Sequence, residues 1–482
     1  MKTLRVLIVL IIFSTLQTNA QGLISPVIEA NNEKNEFSVR CGSYELLKNI
    51  EHTCPGFLNY SNSLIKSVAK DADNKSIFDM KNNVYLIPVV FHIVYNNSNV
   101  NIPDSVIHDQ LAVLNKSFRR TNPDTSNTRP EFYNIVGDAE IMFVLADKDP
   151  AGNPTTGITR TNSPIAYFGG TLPYGPGQNQ QIIDWINDSL FFNIFRITQD
   201  ELGGKNAWNP NKYLNIWISD LRIFEPYFNN FLELVFFGLA TPPVDHHNWP
   251  DSVLQAINEY EQGVIMHFVN VGSNNPNLFP APYHIYNGLV TTGKLLVHEV
   301  GHFLGLRHIW GDGDCTHDDF IYDTPNSDAA SQFNCNHNRN SCVDDIYGVD
   351  LPDMVENYMD YSSGDCQNSF TIGQIQAMRN VLKIYRPLLA ESFIENTEDF
   401  ELSADNAFEI YPNPTTGEVS VRSAVSQEII KMNLREIGGS LIKEIKFEDD
   451  KNINFEISGA NGVYILEIMT KNGRSAIKIL KF

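Results

Sequence analysis

The sequence predicts an α/β (α+β) domain, built as a twisted mixed sheet with helices packed on it, followed by a small C-terminal β-sandwich. Three observations carry that prediction. Between residues 80 and 390, branched apolar runs alternate with segments of helical spacing. Residues 295–306 form one helix that is apolar nearly all round, which buries it inside the domain. After residue 406 the pattern changes to short alternating strands separated by Gly and Asn turns. At 482 residues the chain exceeds one ordinary domain, and its 42% hydrophobic content suffices for a sizeable core.

The first element is an export signal over residues 1–20. Lys2 and Arg5 precede an apolar run from Val6 to Phe13, and Thr18-Asn19-Ala20 supplies a small-residue cleavage site. That core is too short to span a bilayer, and no later stretch reaches about 18 uninterrupted apolar residues, so no transmembrane segment is expected. Export opens an oxidising compartment in which disulfides can form. The net charge of −22 becomes −24 once Lys2 and Arg5 depart, because residues 1–20 hold no acid. Such acidity argues against nucleic acid and anionic membranes as partners, and it suits oxygen ligands for calcium.

Residues 21–79 are polar and poor in strand signals. From Val84 the pattern becomes that of a mixed sheet. Tyr85 to Tyr95 reads as a buried strand, and Asp104 to Arg119 has helix spacing after the helix-opening Pro103. Ala139 to Leu145, Tyr213 to Ile218 and Gly263 to Phe268 read as further strands. Between Thr159 and Asn211 the chain is rich in Gly, Pro, Asn and aromatics, and no chemical role attaches to it. His246 and His247, between Pro243 and Pro250, read as exposed loop residues rather than a second metal site.

The chemistry is concentrated in His298-Glu299-Val300-Gly301-His302-Phe303-Leu304-Gly305-Leu306-Arg307-His308. On a helix, side chains four apart lie about 40° from each other, so His298 and His302 present two imidazoles to one point. Gly305 can take the left-handed conformation that ends the helix, and the chain can then return His308 as a third ligand. Three protein ligands leave one position of a tetrahedral zinc open, the mark of a catalytic rather than a structural site. Glu299 projects beside that position, where it can accept a proton from water and pass it on. Five fixed residues at this spacing should arise by accident on the order of once per 10⁵ chains of this length.

This HExxHxxGxxH signature resembles the metzincin metalloproteases, whose second mark is a methionine turn. Asn357-Tyr358-Met359-Asp360-Tyr361 is similar to that turn. The resemblance implies that Met359 forms an apolar floor under the imidazoles and that Tyr361 assists the oxyanion. Further segments resemble the pappalysin family. They are Tyr213 to Ile218 for its central strand, Gly238 to Pro243 for its edge strand, and Asp323-Thr324-Pro325 for the loop after the zinc helix. Four of the six cysteines, Cys315, Cys335, Cys342 and Cys366, fall between the zinc motif and the segment just past the turn, and spacing alone leaves three pairings open. The family's crossed pattern implies Cys315 with Cys342 and Cys335 with Cys366. It also implies structural calcium after the zinc helix, on the side chains of Asp319 and Thr324 and the carbonyls of Asp318 and Ile321. Some members carry an aspartate after the methionine turn and cut before Arg or Lys. That position here holds Gly364, with Asp365 next to Cys366, which leaves a basic preference unsupported.

Within residues 21–79, Arg40-Cys41-Gly42 resembles the cysteine switch of metalloprotease propeptides, where a thiolate takes the open zinc position. A local disulfide between Cys41 and Cys54 is the alternative, sterically possible across twelve intervening residues. After an acidic linker over residues 391–406, residues 407–482 open on Tyr411-Pro412-Asn413-Pro414. They close on the strands Gly462 to Ile468 and Ile477 to Lys481. This segment resembles the C-terminal sorting domains of type IX secretion in Bacteroidetes bacteria, with a carbohydrate-binding or adhesive module as the alternative.

The resemblances together imply a secreted or cell-surface zinc endopeptidase, made as a zymogen and expected as a monomer. It would cleave protein or peptide substrates by metal-activated water with Glu299 as general base, and would be exported through the type IX machinery. Two other classes stay open. One is a catalytically inert surface binding or adhesion protein with a protease-like domain, and the other is a zinc hydrolase acting on amides other than peptides.

Overall fold

Residues 40–73, which carry few strand signals, begin with a two-residue strand, β1 (Arg40–Cys41), and continue into helices α1 (Ser43–Thr53) and α2 (Phe57–Asp73). Amphipathic spacing makes the helices: Leu46 and Ile50 lie four apart, Phe57 and Leu64 seven apart, and Val68 follows Leu64 by four and Ile65 by three, and all are buried. The computed structural model describes residues 40–73, 84–234, 236–243, 262–279 and 291–391. In the C-terminal module it describes residues 408–413, 415–423, 429–436, 441–445, 452–460, 462–470 and 473–481. The export signal, residues 392–406 of the linker, and His246 and His247 lie outside the described residues.

The spine of the sheet is β2 (Tyr85–Tyr95), whose apolar residues are buried on both faces, as in a parallel sheet covered by helices. After helix α3 (Asp104–Phe118), β3 (Ile141–Leu145) pairs with the first half of β2 and β4 (Ile158–Asn162) with the second, so the two share one edge. Helix α4 (Asn179–Phe195) lies in the segment between Thr159 and Asn211, to which no chemical role attaches. Its aromatic residues, Trp185, Phe191, Phe192 and Phe195, fall on the side away from Ile182, Ile186, Leu190 and Ile194, which are buried at four-residue intervals, so apolar residues on both sides hide that spacing. β5 (Leu214–Ser219) pairs with the other side of β2, and a short hairpin, β6 (Ile223–Glu225) with β7 (Phe231–Glu233), follows. β8 (Phe236–Ala240) and β9 (Val264–His267) complete the sheet in the order β1-β8-β9-β5-β2-β3, with β4 beside β3. Only β8 runs antiparallel to its neighbour β9, and β1 lies parallel to β8 on the outside. Observed strand ends differ from the sequence reading by a residue or two, the usual uncertainty of termini.

Three helices then close the domain: α5 (Lys294–Phe303), α6 (Ile372–Ile384) and α7 (Pro387–Glu391). α6 starts from a capping box in which Thr371 and Gln374 satisfy each other's backbone N–H groups. Its later turns carry α2, since Asn380 Nδ2 donates to the Val68 carbonyl at 2.8 Å and Tyr385 shares a hydrogen bond with Ser67 at 3.0 Å. The apolar residues of α1 and α2 belong to the same core cluster as those of the sheet. Among the described residues no helix is long and apolar enough to cross a membrane.

The C-terminal module holds β10 (Phe408–Tyr411), β11 (Glu418–Ser423), β12 (Ile429–Glu436), β13 (Leu441–Ile445), β14 (Asn452–Glu456), β15 (Gly462–Thr470) and β16 (Gly473–Lys481). They form two antiparallel sheets, β10-β11-β14 and β13-β12-β15-β16. Val419 and Val421 from one sheet and Met432, Leu434, Leu466 and Ile468 from the other share a separate core, as in a small β-sandwich.

Candidate metal centre

α5 places the first two imidazoles as its spacing requires, and ends sooner than the run of apolar residues suggests. Its last helical residue is Phe303. Gly305 then takes a φ of +91°, with its N–H bonded to the His302 carbonyl and the Leu306 N–H to that of Gly301. A side chain at 305 would meet Val381 of α6 at 2.8 Å, so glycine is needed there for space as well as for conformation. The turn brings His308 back, and His302 Nε2 lies 3.1 Å from both His298 Nε2 and His308 Nε2.

The outer nitrogens fix the tautomers. His298 Nδ1 donates to the Tyr358 carbonyl at 2.7 Å, His302 Nδ1 to the Leu306 carbonyl at 2.8 Å, and His308 Nδ1 to Asp312 Oδ1. With each Nδ1 carrying the proton, all three Nε2 atoms offer lone pairs to one point. Burial holds His298 down to about 3 and His302 well below its ordinary value, so these imidazoles stay neutral. Three acceptor nitrogens this close repel one another unless a cation lies between them, and an all-nitrogen donor set suits zinc. The residues present therefore fit the metal.

The fourth member of the cluster comes from β1. Cys41 Sγ and the three Nε2-bearing rings offer ligand atoms that all lie within 4.8 Å of one another. The thiol also donates to Glu299 Oε2 at 3.2 Å, and Ser43 Oγ donates to the same oxygen at 2.9 Å. Burial pushes Glu299 up to about 7 against the lowering effect of those two bonds, and burial together with Glu299 pushes the Cys41 thiol well up. Cys41 and Cys54 are both buried and form no disulfide with each other, so the alternative pairing is not the one observed. The Cys41 carbonyl accepts from the Tyr361 hydroxyl at 3.5 Å.

Beneath the helix, a Cβ on Gly301 would stand 2.5 Å from Met359 Sδ, which seats the methionine directly against the turn between the two helical histidines. Asn357 holds this segment in place. Its Oδ1 accepts from the Met359 N–H at 2.9 Å and from Gln374 Nε2 at 3.2 Å, while its Nδ2 donates to Gln374 Oε1 at 2.9 Å. Tyr361 packs at a steep angle against both His308 and Trp310, and Trp310 is itself stacked on His308 at 4.3 Å. A cavity beside His298 is walled by Phe237, Leu295, Phe333 and Tyr361. At its floor Lys294 Nζ donates to Asp124 and to the carbonyls of Gly364 and Gln367 at 2.7 and 2.6 Å, tying down the loop after Met359.

The structure pairs Cys315 with Cys342 and Cys335 with Cys366. In the acidic loop Asp318 is exposed, whereas Asp319 is buried with no hydrogen bond to its Oδ2, and burial with Asp318 nearby pushes its carboxyl well up. Gly364 lines the cavity and Asp365 faces solvent. Sequence reasoning missed Asp312, Trp310, Lys294 and Ser43. Asp312 left a signal, an acid four residues after a ligand-type histidine, whereas the others depend on contacts far along the chain.

Residues 280–383 match the family described as pregnancy-associated plasma protein-A peptidases, and residues 409–481 match the secretion system C-terminal sorting domain. An extracellular metalloprotease of Arthroderma benhamiae is 42% identical over 97 residues, which are 20% of this chain and 31% of that protein. One from Coccidioides posadasii is 36% identical over 116 residues, 24% of this chain and 37% of its own length. The chain thus spans well under half of these fungal relatives. Among solved structures, a mutant of Tannerella forsythia promirolysin is 31% identical with a TM-score of 0.53, covering 73% of this chain and 98% of that one. Mature mirolysin in complex with a cleaved peptide is 33% identical with a TM-score of 0.49, covering 64% and 98%.

Proposed function

Since this chain belongs to the pappalysin family of metallopeptidases, we propose that it is a secreted zinc endopeptidase synthesised in a self-inhibited form. The observation that carries the reading is the convergence of three Nε2 atoms beside a buried glutamate. Zinc held by His298, His302 and His308 would supply Lewis-acid polarisation of a scissile carbonyl and make water acidic enough to lose a proton near neutral pH. Glu299 Oε2 is the base that accepts that proton and returns it to the leaving amine. Its burial, which raises its affinity for protons, suits a group that must do both. Tyr361 donates its hydroxyl proton to the substrate oxygen that gains charge, the part that the Cys41 carbonyl plays in the latent form.

Substrate backbone binds along β8. With β1 gone, the Gly238 carbonyl and Ala240 N–H form an unpaired edge ready to take an added strand. The cavity beside His298 receives a neighbouring side chain. Residues 21–79 act as the propeptide, with Cys41 as the switch that excludes water. Residues 80–390 are the catalytic domain, and residues 407–482 direct export. Orphaned Asp319 Oδ2 supports structural calcium in the 318–324 loop, with Thr324 and the Asp318 and Ile321 carbonyls as companions.

The test is Glu299→Ala in enzyme freed of its propeptide. Turnover on denatured protein should fall by about two to four orders of magnitude while zinc content by elemental analysis stays the same. Parent enzyme without peptide-bond cleavage, or a variant that has lost its zinc, defeats the proposal. Deleting residues 407–482 should strand the enzyme in the periplasm; undiminished release into the medium would refute the sorting role.

A further inference from the structure

Gly42 N donates to the Gly238 carbonyl at 2.8 Å, the last backbone rung between the N-terminal segment and β8. One step on, the chain has turned into α1, and the next donor of the edge strand, the Ala240 N–H, bonds instead to Ser43 Oγ at 2.9 Å. The same hydroxyl gives its own proton to Glu299 Oε2 at 2.9 Å. Both of these bonds leave its own helix, so the hydroxyl is turned outward onto the site. Ser43 is 5% exposed and Glu299 1%, which keeps water from competing for either bond.

The geometry points to Ser43 as a second latch of the latent form, beside the thiol. Cys41 acts at the metal position and shares Glu299 Oε2 with Ser43, whereas of the two side chains Ser43 alone also reaches the edge strand. Ser43 acts on the base and on the substrate-binding edge, standing where an attacking water would give its proton and where a substrate carbonyl would meet the Ala240 N–H. The assignment rests on Glu299 being the base and on residues 40–73 being removed at activation. It makes Ser43 a positioning residue whose effect persists when the thiol is gone. The contact needs a hydroxyl at that point in the chain, and Thr supplies one on a similar stem, whereas Val has the same shape without it.

The experiment uses the full chain with zinc, its intact mass confirming no processing, in a Cys41→Ala background. Turnover of a quenched peptide and hydrogen exchange of the segment 236–243 are both read. Adding Ser43→Ala should raise turnover about tenfold over Cys41→Ala alone and speed exchange of the Ala240 amide by a similar factor, because both bonds are lost at once. Ser43→Thr should behave like the parent and Ser43→Val like Ser43→Ala, which supplies the comparison if the alanine variant does not fold. Equal turnover and equal exchange with and without the hydroxyl overturn the latch, as does a Cys41→Ala chain already as active as the enzyme freed of residues 40–73. If that freed enzyme cleaves nothing, the endopeptidase reading has failed, and exchange at Ala240 still decides whether Ser43 holds the edge.

Discussion

Replacing Asp312 with Ala should loosen the metal about 10- to 100-fold. Of the three acceptors that hold the outer imidazole nitrogens, two are backbone carbonyls that no substitution can remove, and Asp312 is the one side chain. The His308 ring is 1% exposed and the Asp312 carboxyl 7%, so solvent screens their bond weakly. A hydrogen bond to a charged group contributes about 1.5–3 kcal/mol. The affinity loss typical of a removed partner corresponds to about 1.4–2.7 kcal/mol, which agrees. Asp312→Asn keeps an acceptor oxygen without the charge and should sit near the tenfold end. The assay is competition for zinc against a chromophoric chelator, using enzyme freed of its propeptide. Thermal unfolding of the metal-free protein separates lost affinity from lost folding. Zinc affinity within about twofold of the parent would refute the claim that Asp312 sets the His308 tautomer.

Gly301→Ala in a helix interior ordinarily gains stability, but here the added methyl meets Met359 Sδ. The variant should lose about 1–3 kcal/mol in urea unfolding, and a gain would show that the methionine is not seated there. Glu225 on β6 is pushed from 4.5 up to about 8 by burial and by Glu233 on β7. Because the folded chain holds this proton more tightly than the unfolded one, the stability it contributes is complete below pH 4.5 and is lost as pH rises to about 8. Glu225→Gln should therefore match the parent at acid pH and melt a few degrees higher above pH 8; a pH-independent difference would contradict this. Replacing Cys335 and Cys366 together by Ser opens a loop of 31 residues. That should cost about 3–4 kcal/mol in guanidinium unfolding, and an unchanged midpoint would show that the bond constrains nothing.

The two histidines of α5 and the third beyond it were legible because their geometry is local: a spacing of four on one helix and a glycine just past its end. Met359 was legible through its motif, although what seats it, the bare face of Gly301, becomes visible only in three dimensions. β2 and β5 could be read from unbroken branched runs. α4 could not, since its aromatic residues oppose its buried aliphatic stripe and leave no polar face, and α1 and α2 were hidden by the polar composition around their narrow apolar stripes. Cys41 illustrates the limit most clearly. Its sequence allowed both a nearby disulfide and a long-range contact, and the choice depends on β1 pairing with a strand almost 200 residues later. Ser43 and Lys294 carry no sequence signal, because their partners are backbone groups and carboxylates gathered by the fold.

A single helix, α6, meets three parts of the latent enzyme. Gln374 clasps the segment that carries Met359, Val381 abuts the bend that returns His308, and Asn380 and Tyr385 anchor α2. Support for the reactive centre and attachment of its cover thus converge on one rod. If α1 and α2 leave with the proposed propeptide, water would reach the flank of that rod where Ser67 and Val68 rest. Heat tolerance and grip on zinc should therefore decline in step as the precursor is processed.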